Sequence, residues 1–412
     1  MKSPLRVDFP RLQADVEALA AIGRREDHGL YRMAFSDGDM RARDWLAGRI
    51  RAAGLELHID GAANIHARLG WDGERPSVMT GSHLDTVPGA GHLDGALGVL
   101  VALECLRSLK EAGLPLSHPL EAVAFTDEEG RFGGMFGSQA VCGRLTPERI
   151  HTARDLDGVG LVEAMAAHGL NAMDALRAQR RPESLHAFLE LHIEQGPVLD
   201  RAGVKIGVVE GIVGLFKWNV RLIGVANHAG TTPMDLRRDA FQGLAEFAGE
   251  IPRILEEDGG TRSVATIGRV ELVPGAANVV PGRAEFSLEA RDTDPAVLER
   301  LGLAFRRALS AIARRRDLMF EFDVLSTLEP VKCDPLVMRA IAEAAKQLDA
   351  SHMILPSGAA HDTQMLAGLT RAGMIFVPSR EGRSHSPAEW TAWEDIETGA
   401  NVALNALYAL AR

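Results

Sequence analysis

The stretch Gly81-Ser-His-Leu-Asp-Thr-Val-Pro-Gly-Ala-Gly-His-Leu-Asp-Gly95 decides how the rest of the chain is read. The short run Ser77-Val-Met-Thr80 leads into it, and an apolar helical pattern from Ala96 to Leu106 leaves it. Between them, turn residues present His83, Asp85 and Asp94. The order is therefore strand, ligand-rich loop, helix.

Three more segments repeat the theme. Leu120-Glu-Ala-Val-Ala-Phe-Thr-Asp-Glu-Glu-Gly130 is an apolar strand that stops in three carboxylates. A buried strand tolerates that end only if something compensates the repulsion, and a cation is the natural candidate. His186-Ala-Phe-Leu-Glu-Leu-His192 runs into Ile193-Glu-Gln-Gly-Pro197, and Met374-Ile-Phe-Val377 runs into Ser379-Arg-Glu-Gly-Arg-Ser-His385. Strand ends carrying ligand-type side chains are where open α/β sheets build their sites. The fold class expected is α/β, with a mixed, mostly parallel sheet flanked by helices.

Around these strands, helical periodicity covers Asp15 to Ile22 and Met40 to Ala53, with Asp37 and Asp39 available as caps. Residues 145 to 182 read as mostly helical, and helices are expected over Leu336 to Leu348 and Asn401 to Leu410. After Gly203 the texture changes. Phe216 to Leu222 and Ala284 to Ala290 alternate with period two, as do strands with one polar face. A strand-like run, Val264 to Leu272, the strand Leu318 to Val324 and two helical patterns complete this segment. The expected division is a catalytic domain from residues 1–203 and 327–412, and an inserted α+β domain over 204–326. The latter should hold a four-stranded antiparallel sheet and two helices.

A length of 412 residues suits two domains. The net charge of −11 argues against non-specific binding to nucleic acid or an anionic membrane. No signal-length apolar run opens the chain and no 18-residue uncharged stretch follows, so a cytoplasmic location is expected. The three cysteines, Cys105, Cys142 and Cys333, are scattered and read as reduced, buried thiols.

His83, Asp94, Glu129, His192 and His385 supply three imidazoles and two carboxylates. That donor set suits two divalent ions, Zn²⁺ first, with Mn²⁺, Co²⁺ or Ni²⁺ as alternatives. Successive side chains on extended backbone diverge, so Glu128 and Glu129 cannot both face one ion. Glu129 is read as the ligand and Glu128 as the general base, which must reach the attacking water.

Gly81-Ser-His-Leu-Asp-Thr, Asp94-Gly, Asp127-Glu-Glu-Gly, His192-Ile-Glu-Gln-Gly-Pro, His228-Ala-Gly-Thr-Thr-Pro-Met and Ser384-His-Ser-Pro-Ala-Glu389 resemble the motif series of the M20-type metallo-amidohydrolases. The branch resembled contains N-carbamoyl-L-amino-acid hydrolase, allantoate amidohydrolase and β-ureidopropionase. The resemblance implies one ion on His83, Asp94 and His192 and another on Asp94, Glu129 and His385, with Asp94 shared. It implies that Glu128 takes a proton from water and returns it to the leaving nitrogen, while Asp85 orients His83. It also implies that His228 stabilises the oxyanion and that Asn278 and Arg291 hold the substrate carboxylate, with Gln195 and His361 as further polar contacts. A small ureido or N-acyl amino acid is the implied substrate. The first reading is hydrolysis of an N-carbamoyl-L-amino acid to amino acid, CO₂ and ammonia. Allantoate or another ureido acid is the alternative, and the intact Glu128 weighs against an inactive metal-binding relative. A homodimer formed through the inserted domain is implied as well.

Three positions depart from the motif series. Ala90 stands where a glycine is expected before Asp94, Ala360 likewise before His361, and Gln139 replaces an expected arginine.

Overall fold

The first helix begins earlier than its apolar periodicity suggests. The Asp8 side chain accepts the Arg11 N–H and Pro10 fits the opening turn, so the helix covers Phe9–Ala20. The second covers Asp37–Ala52 and is capped by Ser36, whose hydroxyl accepts the Asp39 N–H at 3.3 Å. Asp37 and Asp39 therefore lie inside the first turn and are not the cap. Asp39 is instead buried against Arg43, at 2.8 Å. These details come from a computed structural model that describes residues 4–412.

The chain packs as two compact units. The larger comprises residues up to Glu210 together with Lys332–Arg412, and the smaller comprises Gly211–Val331. The division falls a few residues beyond the change of texture at Gly203, because the strand Ile206–Ile212 is hydrogen-bonded into the larger unit's sheet.

That sheet has nine strands. Its order is Glu56–Ile59, Ile65–Leu69, Leu120–Phe125, Ser77–His83, Leu185–Ile193, Arg371–Val377, Ile206–Ile212 and Val331–Lys332, with His352–Ser357 also paired to Ile206–Ile212. Ser77–His83 runs parallel to both its neighbours, and Leu185–Ile193 runs parallel to Arg371–Val377. Ser77–His83 and Leu120–Phe125 are buried throughout, as central parallel strands covered on both faces must be. The helices Ala96–Ala112 and Trp393–Ala411 contribute Leu97, Leu100, Leu103, Val402 and Leu407 to this core. Residues 145–182 hold only short helical pieces: Pro147–Thr152, Leu161–Ala166 and the tight turns Ala172–Arg177 and Pro182–Ser184.

In the smaller unit the sheet runs Val270–Val273, Arg283–Asp292, Gly214–Ile223, Met319–Leu328, all antiparallel. A short fifth strand, Val264–Thr266, lies beside Arg283–Asp292. The run expected as one strand from Val264 is broken after Thr266, where the Arg269 N–H turns to the Ser287 hydroxyl instead of a ladder carbonyl. Alternate residues Phe216, Trp218, Val220 and Leu222 are buried beneath the helices Ala240–Asp258 and Pro295–Arg315, which add Phe247 and Phe305.

One buried charge cluster ties the edge of the larger sheet to its centre. Glu121 is fully buried and receives Arg68, Arg180 and Ser77 at 3.0–3.2 Å. His66 lies on the neighbouring strand, its Nδ1 3.1 Å from Glu121 and its Nε2 3.4 Å from Asp60. The first contact is too far off line to be a hydrogen bond and acts as an ion pair. Burial by itself lowers the His66 imidazole, but contacts with Asp60 and Glu121 raise it to about 9. The folded state thus holds a proton that the unfolded chain releases near pH 6.5. Stability from this group is complete below about pH 6.5 and is lost as pH rises through about 9, on the order of 3 kcal/mol. Urea titrations from pH 6 to 10 should show this decline in the native chain, and His66→Gln should flatten it.

Candidate metal centre

The parallel strands bring their carboxyl ends to one side of the sheet. His83 is the last residue of Ser77–His83, His192 is next to last in Leu185–Ile193, and Glu128 and Glu129 follow Leu120–Phe125. His385 follows Arg371–Val377, and the loop carrying Asp94 opens the helix Ala96–Ala112. A crevice outside parallel strand ends is the general ligand position of such sheets.

Asp94 is the hub. Its Oδ1 lies 3.2 Å from His192 Nε2 and 3.7 Å from His83 Nε2. Its Oδ2 lies 3.4 Å from His385 Nε2 and accepts hydrogen bonds from Gln195 Nε2 at 2.7 Å and Ser384 Oγ at 2.6 Å. The two oxygens of one carboxylate therefore face two different donor sets. His83, Asp94 and His192 form one group with ligand atoms within 4.8 Å of one another, and Asp94, Glu129 and His385 form another. A third group, Glu190, His192 and His361, shares His192.

Burial would raise the Asp94 carboxyl, but hydrogen bonds with His192 and His385 and the charge of His192 and His83 hold it well below the carboxylate range. Burial pushes His83 down to about 4, which leaves a neutral imidazole with a free lone pair. Glu128 and Glu129 are both raised well above their usual range, by burial and then by neighbouring carboxylates, Glu129 in the first case and Asp94 in the second. Such mutual repulsion is relieved by a bound cation.

The donor atoms fit two divalent ions on a second count. Glu129 Oε1 is buried and accepts no hydrogen bond, with His385 Nε2 at 3.5 Å, and Gln195 Oε1 is likewise unpartnered. Buried polar atoms left without partners are rare and call for a ligand. The set is all nitrogen and oxygen, three imidazoles with carboxylates.

Glu128 Oε2 stands 3.6 Å from His83 Nε2. Its neighbour's carboxylate points elsewhere, toward His385. Asp85 supports both sides of the site by different atoms. Its main-chain carbonyl, not its carboxylate, meets His83 Nδ1 at 3.0 Å, while the carboxylate lies 3.9 Å off and accepts the N–H groups of Glu128 and Glu129 at 3.2 and 3.1 Å. His361 is buried with its ring 4.5 Å from that of His192.

Glu389 completes the loop's support, although the sequence offered it only as the end of a motif. Its Oε1 accepts the N–H groups of Leu93 and Asp94 at 2.8 and 3.1 Å. This explains Ala90. A methyl at Gly91 would fall 2.4 Å from Glu389, whereas Ala90 pairs with Leu30 in a two-bond bridge and its side chain is simply buried. The glycine that matters is therefore Gly91. Gly95 is equally constrained: its φ is +63° and a Cβ would meet the His83 ring at 2.3 Å. Ala360 has no positive φ and needs no glycine. Gln139 hydrogen-bonds the Gly134 carbonyl and receives Arg149.

The remaining expected residues belong to the smaller unit. His228 pairs with Val279 in a two-stranded ladder, next to Asn278, whose carbonyl accepts the Ala229 N–H at 2.9 Å. His228 Nδ1 accepts the N–H groups of Gly230 and Thr231 at 3.1 and 3.2 Å. The neutral ring must then carry its proton on Nε2, making that atom a donor. Arg291 lies on a different strand, half-buried and paired with Glu289 at 2.8 Å.

The chain matches the model of Peptidase family M20/M25/M40 over residues 79–409. It is 41% identical over 406 residues to the N-carbamoyl-L-amino acid amidohydrolase of Geobacillus stearothermophilus, covering 98% of each chain. It is 36% identical over 400 residues to the allantoate amidohydrolase of Escherichia coli (strain K12), covering 95% of this chain and 96% of that one. Among solved structures it is similar to a hydantoinase/carbamoylase family amidase from Burkholderia multivorans. The TM-score there is 0.90 with 36% identity, covering 99% of this chain and 98% of that one.

The loop geometry separates two neighbouring substitutions. Ala90→Gly should leave metal retention unchanged and cost at most about 1 kcal/mol. Gly91→Ala should displace Glu389 and lower the metal retained after dialysis, as measured by elemental analysis on folded protein.

Proposed function

The chain belongs to Peptidase family M20/M25/M40, and from that premise we propose that it hydrolyses N-carbamoyl-L-amino acids to the amino acid, CO₂ and ammonia, with two divalent ions. It is a hydrolase of non-peptide C–N bonds. The observation that carries the reading is Asp94, with one oxygen toward His83 and His192 and the other toward His385 and the Glu129 side.

His83, Asp94 and His192 would hold one ion, and Asp94, Glu129 and His385 the other, with Zn²⁺ preferred for the imidazole-rich set. Bound there, the ions would supply Lewis acidity toward the scissile carbonyl and ease ionisation of water. Glu128 acts as the base. With Oε2 3.6 Å from His83 Nε2, its carboxylate is placed beside the ligand group to take a proton from the attacking water and hold it for the leaving nitrogen. His228 donates from Nε2 to the developing oxyanion, since its other nitrogen is occupied by two backbone amides. Arg291 and Asn278 would hold the substrate carboxylate, with Gln195 and His361 as further polar contacts.

Allantoate is the second reading, favoured by the likeness to allantoate amidohydrolase. Both substrates offer a carboxylate and a ureido carbonyl. Side-by-side kinetics on N-carbamoyl-L-methionine, N-carbamoyl-β-alanine and allantoate should give the highest kcat/KM on the first, and a preference for allantoate overturns the assignment.

Chelation should abolish turnover and a divalent ion restore it. Glu128→Gln should lower kcat by roughly 10³-fold with KM little changed and metal retained.

A homodimer through the smaller unit belongs to the same proposal. The edge strand Met319–Leu328 exposes Met319, Val324 and Leu325, which a second copy could cover by edge pairing. Light scattering should give twice the chain mass, and Val324→Lys with Leu325→Lys should give the single mass.

A further inference from the structure

We propose that Glu190 is a positioning residue: one buried carboxylate that fixes the metal-ligand strands against the segment carrying His361. The inference rests on the reading of His83 and His192 as ligands and of His361 as a substrate contact.

Glu190 precedes His192 by two residues on the strand Leu185–Ile193, so the two side chains share a face. Its Oε1 accepts the hydroxyl of Ser82 at 2.7 Å, and Ser82 directly precedes His83. Its Oε2 accepts the Thr363 N–H at 3.0 Å and the Thr363 hydroxyl at 2.6 Å. Thr363 follows His361 by two residues, in the first turn of the helix Asp362–Leu366. One side chain therefore joins the ends of two ligand strands to the helix start that aims His361. The His361 ring, 4.5 Å from that of His192, is held from its other side by Ser357 at 3.0 Å.

Glu190 is fully buried, and its described contacts include no Arg or Lys; three neutral donors and the nearby His192 imidazole offset its burial. A buried carboxylate is costly, but removing it would leave the Ser82 hydroxyl and both Thr363 donors buried without a partner. What the carboxylate adds is direction: three short bonds whose lengths leave little play between the segments. Although Glu190 groups with His192 and His361 within ligand distance, its oxygens are already taken by these donors, which argues against a third ion there.

The two oxygens make separable predictions. Ser82→Ala frees only the ligand arm and should weaken Zn²⁺ affinity about tenfold, read by competition with a chromogenic chelator, with KM unchanged. Thr363→Val frees the other arm and should raise KM about tenfold on an N-carbamoyl amino acid, with Zn²⁺ affinity unchanged. Glu190→Ala should do both. Glu190→Gln should rescue both to within about twofold, because its oxygen can accept the Thr363 pair while its amide donates to a rotated Ser82 hydroxyl. If Glu190→Ala lowers only the melting temperature, or if Ser82→Ala and Thr363→Val move the same parameter, the proposal falls. Should Glu190→Ala not fold, the two single-bond variants still decide. The Zn²⁺ arm needs no turnover, so failure of the substrate assignment leaves it readable.

Discussion

Buried negative charge at the carboxyl ends of a parallel sheet is the constraint on which the larger unit depends. Asp85, Asp94, Asp127, Glu190, Asp362 and Glu389 are all buried, with Glu128 and Glu129 beside them. Much of this charge is compensated by backbone amides rather than by basic side chains. Asp85 takes the amides of Glu128 and Glu129, Asp127 that of Phe132, and Glu389 those of Leu93 and Asp94. Each bond fastens one strand end or loop to another, so the compensation also builds the site. Glu129 Oε1, facing His385, is left without a hydrogen bond, and the repulsion between Glu128, Glu129 and Asp94 is what a pair of cations suits.

The same logic explains why small residues in the loops matter unequally. Gly91 and Gly95 exist because Glu389 and the His83 ring occupy the space a Cβ would need. Ala90, one residue from Gly91, faces neither and serves the bridge to Leu30. The loop tolerates a methyl where it meets the chain's own backbone and excludes one where it meets the Glu389 side chain or the His83 ring.

The smaller unit has a core of its own, built from Trp218, Phe247, Phe286 and Phe305, and presents chemistry of a different kind. Here the protein prepares donors. The amides of Gly230 and Thr231 both point at His228 Nδ1, so the neutral ring carries its proton on Nε2.

By itself the sequence determined the α/β class, the strands that bear His83, Glu129, His192 and His385, and the identity of the ligand-type residues. Apolar runs ending in Gly-flanked carboxylates and imidazoles are local signals, and local signals survive in a single chain. Helix starts were less legible: Asp8 and Ser36 cap earlier than the periodicity implied, because a cap is one hydrogen bond and leaves no periodic trace. Tertiary structure alone decided which atoms meet. That Glu389 holds the Asp94 loop from almost 300 positions away and that Glu190 joins Ser82 to Thr363 are contacts between segments remote in sequence. No pattern along the chain encodes such contacts, because they arise only when the parallel strands bring their ends together.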